Sequence, residues 1–148
     1  MKIIFICHGN ICRSPMAEYI FKFLLEKNNI NDVEVISRAT SLEEIGNDIY
    51  PPAKQILKQK GILLKKHYAK RISLEEFLSA DYIYVMDSNN LFNLKRLFGN
   101  NIDYTKVFML NSKDVLDPWY TDNFEQAYNE IHSGCVKLLD KIKERSVK

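Results

Sequence analysis

The stretch Cys7-His8-Gly9-Asn10-Ile11-Cys12-Arg13-Ser14, followed by Pro15, begins where the apolar run Ile3-Ile4-Phe5-Ile6 ends. It stops where Ala17, Ile20, Phe21, Leu24 and Leu25 mark one face of a helix. The stretch is therefore a strand-to-helix loop with a cysteine and an arginine at its two ends. A loop in that position aims successive backbone N–H groups into one concavity, above the positive end of a helix dipole. The Arg13 guanidinium adds a fork for two oxygens, which makes the loop a cradle for a tetrahedral oxyanion. Cys7 lies at its floor, where such donors draw a thiol from ~8.5 toward the ~3.5–7.5 range of activated cysteines. A thiolate held under a bound phosphate is a nucleophile aimed at phosphorus. Gly9 permits a backbone turn that a side chain resists, and Ser14 is a good N-cap with Pro15 at the first helical position. A lone Cys-x5-Arg spacing is weak, since cysteine is also a common filler of buried strands. The order of strand, cysteine, cradle, arginine, cap and helix is what carries the reading.

Working outward, strand and helix alternate. Val33–Ile36 reads as a second strand after the turn-rich Asn28-Asn29-Ile30-Asn31-Asp32. Pro51-Pro52 opens a helix over 52–60 that ends at Gly61. A short helix near Ser73–Leu78 leads to a strand at Tyr82–Met86, then a helix from Ser88 to Phe98 and a last strand near Lys106–Leu110. Phe124, Ala127, Tyr128, Ile131, Cys135, Leu138, Leu139 and Ile142 keep helical spacing along the closing segment. Four strands separated by helices imply right-handed crossovers and a parallel sheet covered on both faces. The expected fold is α/β, one domain over 1–148, in three layers of flavodoxin-like or Rossmann-like kind. Ligands in such sheets bind beyond the strand C-termini, where the Cys7 loop lies.

Composition agrees with that frame. At 148 residues and 46% hydrophobic, the chain suits one globular domain. A formal charge of +2 is too small to argue for nucleic acid or an anionic membrane as partner. No apolar run approaches the ~20 residues of a membrane span. Lys2 heads only a short apolar run, unlike a signal peptide, so the expected compartment is the cytoplasm. Three cysteines without a second metal-ligand pair argue against a disulfide framework or a zinc site.

Residues 7–18, Cys-His-Gly-Asn-Ile-Cys-Arg-Ser-Pro-Met-Ala-Glu, resemble the phosphate loop of the low-molecular-weight protein tyrosine phosphatases. Ser37-Arg38-Ala39-Thr40-Ser41 and Gly46 resemble the segment after that family's second strand, and Asp81-Tyr82-Ile83-Tyr84-Val85-Met86-Asp87 its third strand. Asp117-Pro118-Trp119-Tyr120 resembles the loop that carries its general acid. The likeness runs over nearly the whole chain in family order. It implies hydrolysis of phosphotyrosine in proteins or peptides through a phosphocysteine on Cys7, with no cofactor and no metal. The chain is expected to be a monomer, with weak dimerisation as the alternative.

A phenol has a pKa of ~10, so its phenolate is a poor leaving group unless a proton is supplied. By spacing alone, Asp117 before Pro118 is an ordinary turn residue. By the resemblance, Asp117 protonates the leaving oxygen and then activates water, while Arg13 and the loop amides of Gly9, Asn10, Ile11 and Cys12 hold the phosphoryl oxygens. The resemblance further implies a supporting network of Asn10, Ser14, Ser37 and His67. Asn10 can take left-handed geometry, and Ser14 can donate to the Cys7 sulfur. His67 by itself is more often a core or surface histidine. Cys12 has two readings, a small packed residue or, by the resemblance, a partner for a reversible disulfide with Cys7.

The rim departs from the family pattern. His8 stands where an aliphatic residue is usual, and Glu43 where an aromatic one often contacts the substrate ring. Trp119 and Tyr120 remain to line the other side. A threonine at position 11 goes in the family with phosphoarginine and an isoleucine with phosphotyrosine, so Ile11 argues for tyrosine. Three alternatives follow from different chemistry. A protein arginine phosphatase shares the fold and nucleophile but conflicts with Ile11. A thioredoxin-linked arsenate reductase needs shuttle cysteines in mid-chain, where none occurs; Cys135 falls on the last helix stripe. A non-catalytic phosphate-binding regulator tolerates loss of Cys7, Arg13 or Asp117, and all three are present.

Overall fold

The computed structural model describes residues 1–145. The apolar run at the N-terminus forms β1 (Lys2–Cys7), in which Ile3, Ile4, Phe5 and Ile6 have no solvent exposure. A strand buried on both faces is a central strand, and β1 pairs in parallel with β2 (Glu34–Ala39) on one side and β3 (Tyr82–Val85) on the other. The short β4 (Val107–Met109) closes the order β2-β1-β3-β4. β2 runs three residues past the end expected from its apolar core, because its register against β1 carries pairing on to Cys7 and Ala39.

Alternation in β1 sends side chains to two separate cores. Ile3, Phe5 and Cys7 face one side, with α1 (Arg13–Lys27), α2 (Pro51–Gln59) and α6 (Phe124–Arg145). Ile4 and Ile6 face the other, with Phe77 of α3 (Leu74–Ser79) and Leu94 of α4 (Ser88–Phe98). The helical stripe on α6 is buried as its spacing requires, and Cys135 lies on it with no exposure. The result is the expected three-layer α/β fold. Among the described residues no helix is long and apolar enough to cross a membrane.

The chain passes from β1 to β2 on one side and then returns to β3 on the other. The connections leaving β1 and β3 therefore diverge and leave a crevice at the C-terminal end of β1. Four helix starts carry local signals. Ser73 and Asp87 cap α3 and α4 in reciprocal boxes with Glu76 and Asn90. Pro51 and Pro52 open α2, and Asp117 caps a four-residue helix, α5 (Pro118–Thr121), which is too short to show any periodicity.

Ser14 is not the cap of α1. The helix begins two residues earlier than expected, at Arg13 instead of Pro15, with Cys12 in the cap position and no side-chain cap. The Ser14 hydroxyl is turned inward instead, onto Cys7 and Asn10. Among the described residues the first-turn amides of α1 thus have no side-chain acceptor.

Candidate active site

Cys7 ends β1, 3% exposed, at the floor of a cavity of about 170 Å³. Its sulfur accepts the Asn10 N–H at 3.3 Å and lies 2.9 Å from Ser14 Oγ. Ser14 Oγ already accepts from Asn10 Nδ2 at 2.8 Å, and its other acceptor, the Arg38 carbonyl, is 3.5 Å away. Its own proton is therefore directed at the sulfur.

Asn10 holds this arrangement. It takes φ 61°, the left-handed geometry open to asparagine. Its Nδ2 also donates to Ser37 Oγ at 3.0 Å, and its Oδ1 accepts the Lys70 N–H at 3.2 Å. His67 is buried, with Nε2 2.7 Å from the Asn10 carbonyl. A carbonyl only accepts, so Nε2 carries the hydrogen. The four residues expected to form one network do so.

The turn at Gly9 is constrained by space. The positive φ falls on Asn10, and a Cβ at Gly9 would lie 3.3 Å from Glu44 Cγ. Cys12 is 4% exposed, and burial first, then the charges of Cys7 and Asp117, pushes its thiol far above the usual range despite Arg13. Among the described residues Cys7, Cys12 and Cys135 are all free thiols.

Arg13 is 2% exposed. Its Nη1 donates to Asp87 Oδ2 at 2.6 Å and to the Val115 carbonyl at 2.8 Å, and its Nη2 stands 3.4 Å from Asp117 Oδ2. Burial opposes the guanidinium charge, yet Cys7, Asp87 and Asp117 together hold its pKa above the ordinary arginine value. Asp117 is bifunctional: Oδ1 caps the Trp119 N–H at 3.0 Å while Oδ2 faces Arg13.

The cavity wall contains His8, Gly9, Ile11, Cys12, Glu43, Trp119 and Tyr120 around Cys7, Arg13 and Asp117. Glu43 does not stand alone at the rim, since its Oε2 is 2.9 Å from His8 Nε2. Trp119 is half-exposed and leans on Tyr50 with ring centroids 4.7 Å apart. Tyr120 is exposed at the mouth. Among the described residues no cluster of three His, Cys, Asp or Glu side chains is placed to hold a metal ion.

The model of low molecular weight phosphotyrosine protein phosphatases matches residues 2–148. This chain belongs to that family. It is 34% identical over 151 residues to the low molecular weight protein-tyrosine-phosphatase YfkJ of Bacillus subtilis, with 97% of each chain covered. The crystal structure of YfkJ superposes with a TM-score of 0.93 over 98% of this chain and 96% of that one, at 33% identity. The low molecular weight protein tyrosine phosphatase SP-PTP of Streptococcus pyogenes gives 0.87 at 38% identity, covering 95% and 91%. DARP, a drosophila arginine phosphatase, gives 0.88 at 32% identity, covering 97% and 98%.

Within this phosphatase fold, three contributors carried no role in the sequence reading. Glu18 Oε1 accepts from Ser37 Oγ at 2.6 Å and its other oxygen meets Lys22 Nζ at 2.5 Å, which extends the network under Cys7 to the surface. A carboxylate beside Ala17 on the inner face of a helix is the one signal that could have flagged it. Asp87 holds Arg13 from the end of β3, and Tyr50 supports Trp119; nothing local marks either.

Proposed function

We propose that this protein hydrolyses phosphotyrosine in proteins or peptides through a phosphocysteine on Cys7. The observation that carries the reading is the meeting, in one small cavity, of the Cys7 sulfur with Arg13 and Asp117. The phosphoryl group sits in the 7–14 loop, its oxygens on the main-chain amides and the Arg13 guanidinium. The Cys7 thiolate attacks phosphorus and the bond to the phenolic oxygen breaks. Asp117, in its acid form, gives its proton to that oxygen. As carboxylate it then takes a proton from water, whose oxygen attacks phosphorus. The S–P bond breaks, inorganic phosphate is released, and the sulfur leaves as thiolate onto the Ser14 hydroxyl and the Asn10 N–H.

Ile11 supports an aryl phosphate as substrate. It is an apolar wall of the cavity and offers no polar atom to a guanidinium. Because the structural relative DARP is an arginine phosphatase, phosphoarginine is the comparison substrate. The test is steady-state hydrolysis of para-nitrophenyl phosphate, a phosphotyrosine peptide and phosphoarginine, without added metal, by wild type, Cys7→Ser and Asp117→Ala. Turnover of the phosphotyrosine peptide is expected to vanish in Cys7→Ser and fall about 100-fold in Asp117→Ala. Inactive wild type, activity that survives Cys7→Ser, or a preference for phosphoarginine would overturn the reading.

A further inference from the structure

A second cavity, of about 650 Å³, shares no residue with the catalytic one. It runs between the outer side of α1 (Tyr19, Phe23) and the chain after α2 (Ile62, Leu63, Leu64). Its volume falls in the ~300–1,000 Å³ range of ligand clefts. Three features say what it takes.

The first is apolar surface held open. Leu63 is 93% exposed, beside half-buried Leu64 and Phe23. The second is charge. Lys27 and Lys65 line the groove with Lys22, whose ammonium is already paired with Glu18, and the lining holds a single acid, Glu26. Two of these ammonium groups sit over its aromatic walls, Lys27 4.7 Å above the Phe23 ring and Lys22 5.6 Å above the Tyr19 ring. The third is free main chain. Residues 62–70 belong to no helix or strand, and inward Ile62 and Leu64 alternate with outward Leu63 and Lys65, as on a strand. Tyr19 Oη donates to the Lys65 carbonyl at 3.2 Å. Among the described residues the N–H groups of Leu63, Leu64, Lys65 and Lys66 have no main-chain or side-chain acceptor. In an extended segment alternate N–H groups share an edge, so those of Leu63 and Lys65 lie on the edge whose Lys65 carbonyl meets Tyr19, and unpaired amides on an exposed apolar edge are a template for an added strand.

We infer that this groove docks an extended segment of a partner protein in which apolar and acidic residues alternate. Main-chain bonds to Leu63 and Lys65 would align the segment, its apolar side chains would cover Leu64 and Phe23, and its carboxylates, on the other face beside Leu63, would meet Lys27 and Lys65. The inference goes beyond the catalytic reading and does not depend on it.

The test is amide NMR on the labelled full chain, titrated with a peptide of about seven residues alternating leucine and glutamate. Saturable shifts are expected at residues 19–27 and 61–66. The double variant Lys27→Glu/Lys65→Glu, both exposed positions, is expected to weaken binding at least ~10-fold, as is ~1 M salt, where screening acts over about 3 Å. Absence of saturation by ~1 mM peptide, the weak end of specific binding, would overturn the inference. Equal binding of a leucine–lysine or serine–glutamate peptide would do the same. Shifts confined to residues 7–13 would show instead that the carboxylates occupy the phosphate cradle. Shifts of the groove residues on diluting the chain alone would make a second copy the occupant. Either result overturns it.

Discussion

Asn10 shows how one residue can fix a reactive sulfur. Its backbone N–H points at Cys7, its amide holds both Ser14 and Ser37, and its carbonyl is held by His67. With Asn10 Nδ2 donating to the Ser14 oxygen, the proton of Ser14 is directed at the sulfur beside the Asn10 N–H. A hydrogen bond to a charged group contributes about 1.5–3 kcal/mol. Ser14 does not line the cavity, so in the proposed mechanism its bond would stabilise the departing thiolate without touching substrate. Ser14→Ala is therefore expected to lower kcat by about 10–100-fold with KM changed little, as read in steady-state kinetics on para-nitrophenyl phosphate. An equal rise in KM with kcat intact would place Ser14 in substrate binding instead. The other two thiols are set apart by their surroundings. Burial pushes Cys135 far above the usual thiol range, and burial with the negative neighbours Cys7 and Asp117 does the same to Cys12. A raised pKa keeps the proton on through neutrality, and only the thiolate alkylates. Iodoacetamide between pH 6 and 8 is expected to add a single carbamidomethyl group, on Cys7, by mass spectrometry of digested native protein. A second adduct on Cys12 at a comparable rate would contradict that assignment.

At the scale of elements, α6 is the clamp across one face of the sheet. Its apolar stripe covers α1, where the Cys135 thiol approaches the Ala17 carbonyl at 3.8 Å, and its middle crosses the chain leaving β4. Gly134 makes that crossing fit. A Cβ there would lie 2.2 Å from Asn111 Oδ1 and 2.6 Å from Leu110 Cγ, closer than real contacts allow. Asn111 cannot simply turn away, because its Nδ2 donates to the Glu130 carbonyl at 2.8 Å. The helix would have to lift from the end of β4, in the segment that leads to Asp117. Overpacking of this kind costs about 1–3 kcal/mol. Although alanine is the better helix former, Gly134→Ala is expected to lower Tm by roughly 3–10 °C in a calorimetric scan. A Tm at or above wild type would mean that propensity outweighs the clash and that α6 is free to shift.

Over the whole molecule, what could be read from the sequence depended on how far apart the interacting residues lie. Ile3–Ile6, the 7–14 loop and the stripe from Phe124 to Ile142 are local patterns, and the sheet, the position of the cavity and the left-handed Asn10 follow from them. Residues that act across the fold leave no such trace. Arg13 meets Asp87 from 74 positions away, and Ser37 meets Glu18 from 19. Ser14 looked like a helix cap because its type and place suit one, whereas the sulfur opposite claims its hydroxyl. The cavity itself is assembled this way, from three connections held in place by main-chain bonds, the third of them to the end of β3. Ser41 donates to the His8 carbonyl at 3.1 Å, Tyr50 to that of Ile11 at 2.9 Å, and Val115 to that of Met86 at 2.9 Å. The Asp117 loop joins the other two through side chains, Arg13 on the Val115 carbonyl and Tyr50 against Trp119. An aromatic contact of that kind contributes about 0.5–1.5 kcal/mol, enough to decide how often Asp117 is in place. Tyr50→Ala is expected to lower kcat about 3–10-fold. Trp119 is the single tryptophan of the chain, so its emission reports this loop alone, and it is expected to shift to the red as the ring loses its partner. A lowered kcat with unchanged emission would separate the two effects and show that Tyr50 acts on the 7–14 loop, through the bond from its amide to Ile11, and not on the loop that carries Asp117.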